Sequence, residues 1–341
     1  MTLSKNRSRA AFGALVAALL AVAAIGCGGT SGASGDGKGK LTLVAYSTPQ
    51  EAYQEIIPAF QKTSAGKGVK FTQSYGASGE QERAVEGGLQ ADVVALSLAP
   101  DVNKLVDAGL VDKSWDKAPY DGFVTNSVVV FEVRKGNPKN IKTWDDVVRP
   151  GVDVLTPNPF TSGGAKWNIM AAYGAQLEQG KSPRQAVDYL GRLFENVSVL
   201  DKSAREAGQT FSSGKGDVLL AYENEAITAQ QKGEDVDYVI PDQTILIENP
   251  AAVDSKAKNP DAAKAFVDFL RTDEAQKIYA RHGYRPVNKS LVGKKKSPNP
   301  PNLFQIDRFG GWSKVDDEFF DPSKGKIAKL FQSQGKSTAG D

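Results

Sequence analysis

The sequence predicts an α/β protein of two lobes, each a mostly parallel sheet flanked by helices, the two joined by a two-segment hinge. Three observations carry this expectation. From residue 41 onward, short apolar runs pass into small-residue turns and then into stretches with helical apolar spacing, the order that gives parallel strands covered on both faces. A long β-rich run at residues 124–133 interrupts that series, and a second series of the same kind follows it. About 315 residues follow the first 26, more than a single typical core organises.

Residues 41–46 are apolar, Ser47-Thr48-Pro49 breaks the run, and residues 51–62 place Tyr53, Ile56, Ile57 and Phe60 at helical spacing. Residues 69–74 predict a second strand, Gly76-Ala77-Ser78-Gly79 its turn, and 80–90 a helix with Gly87 and Gly88 near its end. A third strand is expected over 91–98 and a short helix over 101–108. After 124–133 the second series runs through helix 144–148, strand 152–156, turn 161–164 and helices 165–179 and 183–194. Strand 197–200, turn 202–205, helix 206–213, strand 217–222 and helix 223–232 complete it. Residues 236–240 and 244–248 are β-like and carry the chain back, so that helices within 260–281 finish the first lobe. Two crossings between lobes make a hinged pair.

The chain opens with Lys5, Arg7 and Arg9, an apolar run over 10–25, then Gly26 and Cys27. A basic stretch before an apolar run too short to span a bilayer reads as a secretory signal. Ala24-Ile25-Gly26-Cys27 resembles the bacterial lipoprotein cleavage box, with Ala24 where Leu is more usual. The resemblance implies that Cys27 is the lipidated first residue of the mature chain. A lone cysteine is otherwise unusual in an exported protein. Residues 28–40 are Gly, Ser, Lys and Asp with almost nothing apolar, the composition of a solvated tether. The expected organisation is therefore a signal peptide at 1–26, a lipid-anchored tether at 27–40, lobe 1 at 41–124 plus 246–325, lobe 2 at 125–245, and a tail at 326–341. The mature protein is expected outside the cytoplasm, anchored to the outer face of the cytoplasmic membrane or periplasmic.

Composition excludes several functions. The 42 basic and 40 acidic residues nearly balance, and no strongly basic face suited to nucleic acid is apparent. With one histidine, His282, and one cysteine, Cys27, the chain cannot build a Cys/His zinc site or a thiol-dependent active site, and no metal or cofactor is expected. Carboxylate and lysine chemistry remain open.

Four strand-to-helix turns share one chemistry: Ser47, Ala77-Ser78-Gly79, Thr161-Ser162-Gly163-Gly164 and Ser203-Ala204. Each opens a helix at the carboxyl end of a strand, where helix N–H groups lack partners and ligands of open α/β sheets bind. One such turn alone is an ordinary N-cap. Four of them, spread over both series, describe a cleft lined from both sides by uncharged donors, which suits an anion.

Several motifs then match one family. Tyr75-Gly76-Ala77-Ser78-Gly79, Ala91-Asp92-Val93-Val94, Arg134-Lys135-Gly136-Asn137-Pro138, Pro150-Gly151-Val152, Thr156-Pro157-Asn158-Pro159, Ser162-Gly163-Gly164-Ala165-Lys166-Trp167-Asn168, Gly216-Asp217-Val218-Leu219 and Glu223-Asn224-Glu225-Ala226 resemble the bacterial sulfate-binding proteins of ABC importers. Tyr284-Arg285-Pro286 and Phe309-Gly310-Gly311-Trp312 extend the likeness, which covers nearly all of residues 41–321. The resemblance implies a periplasmic-binding-protein-like fold, no catalysis, and a dehydrated sulfate held between two lobes by backbone amides, Ser hydroxyls and an indole. By motif it implicates Ser47, Ser78, Gly79, Ser162, Gly163 and Ala204, with the indole position at Tyr222. Tyr222 and Ser47 depart from the family pattern, which commonly has Trp and often Asp there. A phenol donates as an indole does, and it also accepts. The implied partners are sulfate or thiosulfate and the importer's permease subunits, with the receptor a monomer.

About six hydrogen bonds to a charged ligand, at roughly 1.5 to 3 kcal/mol each, give on the order of 10 kcal/mol before association losses. Micromolar affinity, about 8 kcal/mol, is attainable. A wall made only of donors would reject phosphate, which carries a proton near neutral pH. Other readings stand beside this one, among them a non-transport signalling or adhesion lipoprotein built on the same hinged fold, and two more. The first is a receptor for phosphate or molybdate; the second is an extracytoplasmic sulfate or phosphate ester hydrolase working through Asp92, Glu223 and Glu225. Arg205 is open both to neutralising the anion from behind and to a surface ion pair. Trp144 and Trp167 are expected to pack, His282 to end a helix, and Lys294–Lys296 to be a solvated charge run or a contact to anionic lipid.

Overall fold

Alternation along the first strand decides how its surroundings layer. On β1 (Lys40–Tyr46), Leu41, Leu43 and Ala45 join one buried cluster and Val44 joins another, so both faces of the sheet are covered. The computed structural model describes residues 39–291 and 298–338. The expected signal, Cys27, all but the last two tether residues, and Lys294–Lys296 lie outside the described residues. No described helix is long and apolar enough to cross a membrane.

Around β1 stand β2 (Lys70–Gly76) and β3 (Val93–Ala95), both parallel to it. One face packs on α1 (Gln50–Lys62) through Tyr53, Ile56 and Phe60; the other packs on α2 (Ser78–Glu86) and α3 (Ala99–Asp107) through Val85, Val102 and Leu105. A 12-residue strand, β4 (Phe123–Arg134), then leads into the second series. There α4 (Trp144–Val147), β5 (Val154–Leu155), α5 (Gly163–Glu178), α6 (Pro183–Glu195) and β6 (Val197–Val199) are followed by α7 (Ala204–Ser212), β7 (Val218–Tyr222), α8 (Glu223–Gln231) and β8 (Val236–Val239). Of α5, residues 163–176 are all buried, as expected of a helix covered on every side.

The return strand β9 (Gln243–Val253) completes the sheet path β2-β1-β3-β9-β4-β7-β5-β6. Its residues 251–253 pair with β3, and Leu246–Pro250 pair antiparallel with β4 residues 123–128. The farther part of β4 pairs with β7 and β8. The boundaries expected at 124/125 and 245/246 thus fall inside two long strands that serve both halves. Helices α9 (Pro260–Leu270) and α10 (Asp273–Arg281) pack Phe266, Leu270, Ile278 and Tyr279 against the first half.

The C-terminal stretch corrects the expected organisation. Strand β10 (Asn302–Phe304), α11 (Gly311–Val315), a five-residue π-turn at Asp316–Phe320 and α12 (Lys326–Ser333) put Phe304, Trp312, Phe319, Ile327 and Phe331 into the core of the second half, with Trp144, Tyr189 and Phe194. Residues 304–320 pack with the second half, and 326–333 form a docked helix. The apolar stripe at Ile327, Ala328 and Phe331 explains why α12 docks. Gln334 and Lys336 then donate to the carbonyls of Gly191 and Val197.

Candidate functional site

Five helices begin around one point. Ser47 and Thr48 lie between β1 and α1, Ser78 opens α2, Ser162 caps α5, Ala204 opens α7, and Tyr222 is the residue before α8. Together with Tyr46, Gly76, Ala77, Ser97 and Gly164 they line a small cavity. Ser47, Ser78, Ser97, Ser162 and Tyr222 are all buried. Among the described residues that line it there is no lysine, arginine, histidine or carboxylate. First-turn amides and hydroxyls around a small space form a positive potential without a formal charge, which is what a helix-terminus anion site requires.

Each hydroxyl has a defined role. Ser162 Oγ accepts from the Ala165 amide at 3.4 Å, a helix cap that leaves its proton for a ligand. Ser78 Oγ donates to Asp101 Oδ2 at 2.6 Å and accepts the Ser97 amide at 2.9 Å, so its hydroxyl is spent on the wall. Tyr222 meets Ser97, hydroxyl to hydroxyl, at 2.8 Å. Burial pushes the Tyr222 phenol well above its ordinary range, which keeps it protonated.

Five of the seven sequence-expected residues, Ser47, Ser78, Ser162, Ala204 and Tyr222, are brought together; Gly79 and Gly163 stand outside the wall. The Gly79 amide donates to the Thr161 carbonyl at 3.1 Å, tying the first half to the second. A Cβ on Gly163 would lie 2.0 Å from Leu98 Cδ2 and 3.0 Å from Ser97, so this glycine permits the start of α5 to approach the β3–α3 turn. Ser97 escaped the sequence reading because the third strand was expected over 91–98, whereas β3 ends at Ala95 and Ser97 falls in the turn before α3.

Beside the cavity opens a larger recess that shares Thr48 and Ala204 with it. Its walls carry Glu51, Glu132, Glu225 and Glu234 against Arg205 and Lys232, an unsuitable lining for a dianion. Burial, aided by Glu225, pushes Glu132 up to about 8. Burial likewise raises Glu225 to about 7, against the pull of the Tyr222 amide and Arg205. Arg205 grips both oxygens of Glu51, at 2.8 and 2.5 Å, and donates to the Ser47 carbonyl at 3.1 Å, while Lys232 reaches Glu51 at 2.6 Å. Burial opposes ionisation of Glu51, but Arg205 and Lys232 overcome it and hold the carboxyl near 2. Arg205 is thus an ion-pair residue that also touches the backbone of the cavity wall.

The three carboxylates of the hydrolase reading do not assemble. Asp92 accepts the amides of Thr42 and Lys258, both at 2.7 Å, and Glu223 is paired with Arg285. Among the described residues no group of three or more His, Cys, Asp or Glu side chains is placed to hold a metal ion. Trp144 and Trp167 are fully buried, as expected, and His282 follows the last residue of α10.

Residues 41–285 match the family model described as bacterial extracellular solute-binding protein. The chain is similar to a sulfate-binding protein of Synechococcus elongatus, 45% identical over 86% of this chain and 88% of that one. It is similar to a thiosulfate-binding protein of Pseudomonas aeruginosa, 35% identical over 90% of this chain and 95% of that one. Among solved structures, the sulfate-binding protein SubI from Mycobacterium tuberculosis superposes with a TM-score of 0.81 at 44% identity, covering 83% of this chain and 99% of that one.

Proposed function

The chain belongs to the bacterial extracellular solute-binding proteins, and on that premise we propose that it captures sulfate, or thiosulfate, between its two halves and delivers it to the permease of an ABC importer. One observation carries the reading. First-turn residues of helices from both halves converge on a small buried cavity with neutral walls. A tetrahedral dianion there would receive amides from Ser47, Ser78, Gly164 and Ala204 and hydroxyls from Ser162 and Tyr222. Six donors suffice for micromolar affinity after association losses, by the magnitudes given above.

Closing and opening would proceed about β4 and β9, which serve both halves, with the Gly79–Thr161 and Arg205–Glu51 bonds made as the cleft shuts. We assign the protein no catalysis, a monomeric state, and a lipid anchor at Cys27 that tethers it outside the cytoplasmic membrane.

Titration calorimetry of the full chain in detergent tests the assignment. Sulfate is expected to bind with a micromolar Kd, and an absence of heat at millimolar sulfate and thiosulfate would refute it. Ser162→Trp fills the cavity and is expected to abolish binding with the circular dichroism spectrum retained; wild-type affinity in that variant would remove α5 from the site.

A further inference from the structure

We propose that the recess beside the cavity is itself a binding site, and that it takes a small organic diammonium ion anchored on Glu132. Acidic residues gathered on a surface are ordinary, but one of these is buried. Glu132 is 3% exposed and lines the recess, and among the described residues its carboxyl meets no hydrogen-bond donor and no ion-pair partner. A buried carboxyl left in that state is costly unless something else satisfies it. The nearest cation in the chain, Arg134 two residues on, is committed elsewhere. Its guanidinium donates to the carbonyls of Phe211, Lys215 and Gly216 and lies 3.8 Å from the centre of the Phe211 ring.

The other charges of the recess already have partners. Arg205 and Lys232 both serve Glu51, Glu225 Oε2 accepts the Tyr222 amide at 3.2 Å, and Glu234 accepts the Ser212 hydroxyl. Four carboxylates against two cations leave a surplus of two negative charges when all are ionised. Of the charges that face Glu132, Glu225 on α8 and Glu234 just after it repel, and only Arg134 on its own strand attracts. Its cross-strand partners, Leu219 on β7 and Tyr238 on β8, bring no charge at neutral pH.

The lining selects the kind of cation. A metal ion needs several oxygens converging on one point, and among the described residues no group of three or more His, Cys, Asp or Glu side chains is so placed. The carboxylates here share the recess with Ala204, Gly208, Leu219 and Ala229. Apolar surface of that kind suits a short methylene chain, and the carboxylates suit charged N–H donors at its ends. A diammonium ion also matches the surplus of two. Without it, burial keeps Glu132 protonated near neutral pH, so binding drives that proton off and strengthens as pH rises. The site does not depend on the sulfate reading of the neighbouring cavity.

Calorimetry of the full chain in detergent with putrescine tests the proposal, with butanediol as the uncharged counterpart and magnesium chloride as a bare dication. Putrescine is expected to bind with a Kd below about 1 mM, and on the order of tenfold more tightly at about pH 8.5 than at about pH 6.5. Glu132→Gln is expected to weaken it at least about tenfold while staying folded by circular dichroism. No heat at millimolar putrescine overturns the proposal. So do equal binding of butanediol, displacement of putrescine by an equal concentration of magnesium, and an unchanged Kd in folded Glu132→Gln. A wild-type affinity that is the same at the two pH values overturns it without any variant.

Discussion

Arg285 donates to both oxygens of Glu223, at 2.6 Å through Nε and 3.1 Å through Nη2, and both side chains are buried. Removing one partner leaves the other charge buried without compensation, which typically costs about 3–5 kcal/mol. Arg285→Ala is therefore expected to lower the denaturation midpoint strongly in urea, whereas Lys264→Ala, at the exposed Lys264–Asp268 pair, is expected to move it little. Both segments that meet here were visible as motifs, Tyr284-Arg285-Pro286 and Glu223-Asn224-Glu225-Ala226. Their contact was not, since 62 residues separate the partners and nothing in local spacing encodes that approach. Ser47, Ser78, Ser162 and Ala204 were legible because turn chemistry is local. Where Ser78 sends its proton was not, because Asp101 reaches it only once the β3–α3 turn has folded against α2.

Strand and helix order was readable from periodicity almost throughout, because each strand-to-helix unit carries its own apolar pattern and its own breaker. The C-terminal elements were not. Residues 302–320 form short pieces whose apolar residues have no sustained period, and what fixes them is the aromatic surface of α5 and α6, as in the Trp167–Trp312 pair at 4.6 Å. Phe331→Ala tests the docking of α12: a fully buried phenylalanine in contact with Phe160 and Phe194 is expected to cost about 3–5 kcal/mol in chemical denaturation. The burial of β4 also has a pH consequence. Glu132, raised to about 8 chiefly by burial, binds its proton more tightly folded than unfolded. Its contribution is complete below the ordinary value of 4.5 and is lost as pH rises through about 8. The thermal midpoint is expected to decline between mildly acidic and alkaline pH, and Glu132→Gln is expected to flatten that decline.

At the scale of the molecule, the two halves meet through bonds in and around the cavity: Ser97 to Tyr222 within its wall, and Gly79 to Thr161 and Arg205 to Ser47 and Glu51 outside it. Arg205→Gln removes the bidentate grip across the cleft and is expected to weaken sulfate binding by about five- to thirtyfold, equivalent to about 1–2 kcal/mol, without abolishing it. Calorimetry on the variant measures this, and an unchanged Kd would show that the pair plays no part in closure. Two-sidedness was legible from repeated turn chemistry, whereas the pairing of particular residues across the gap was not, because it depends on how the halves face each other. The late position of the closing elements has one more consequence. The first half lacks its neighbouring strand until residues 251–253 exist, and the second lacks much of its aromatic filling until residues 302–331 have followed. A polypeptide emerging amino end first cannot finish either half early, so it stays pliable through most of its passage and locks only when its final stretch arrives.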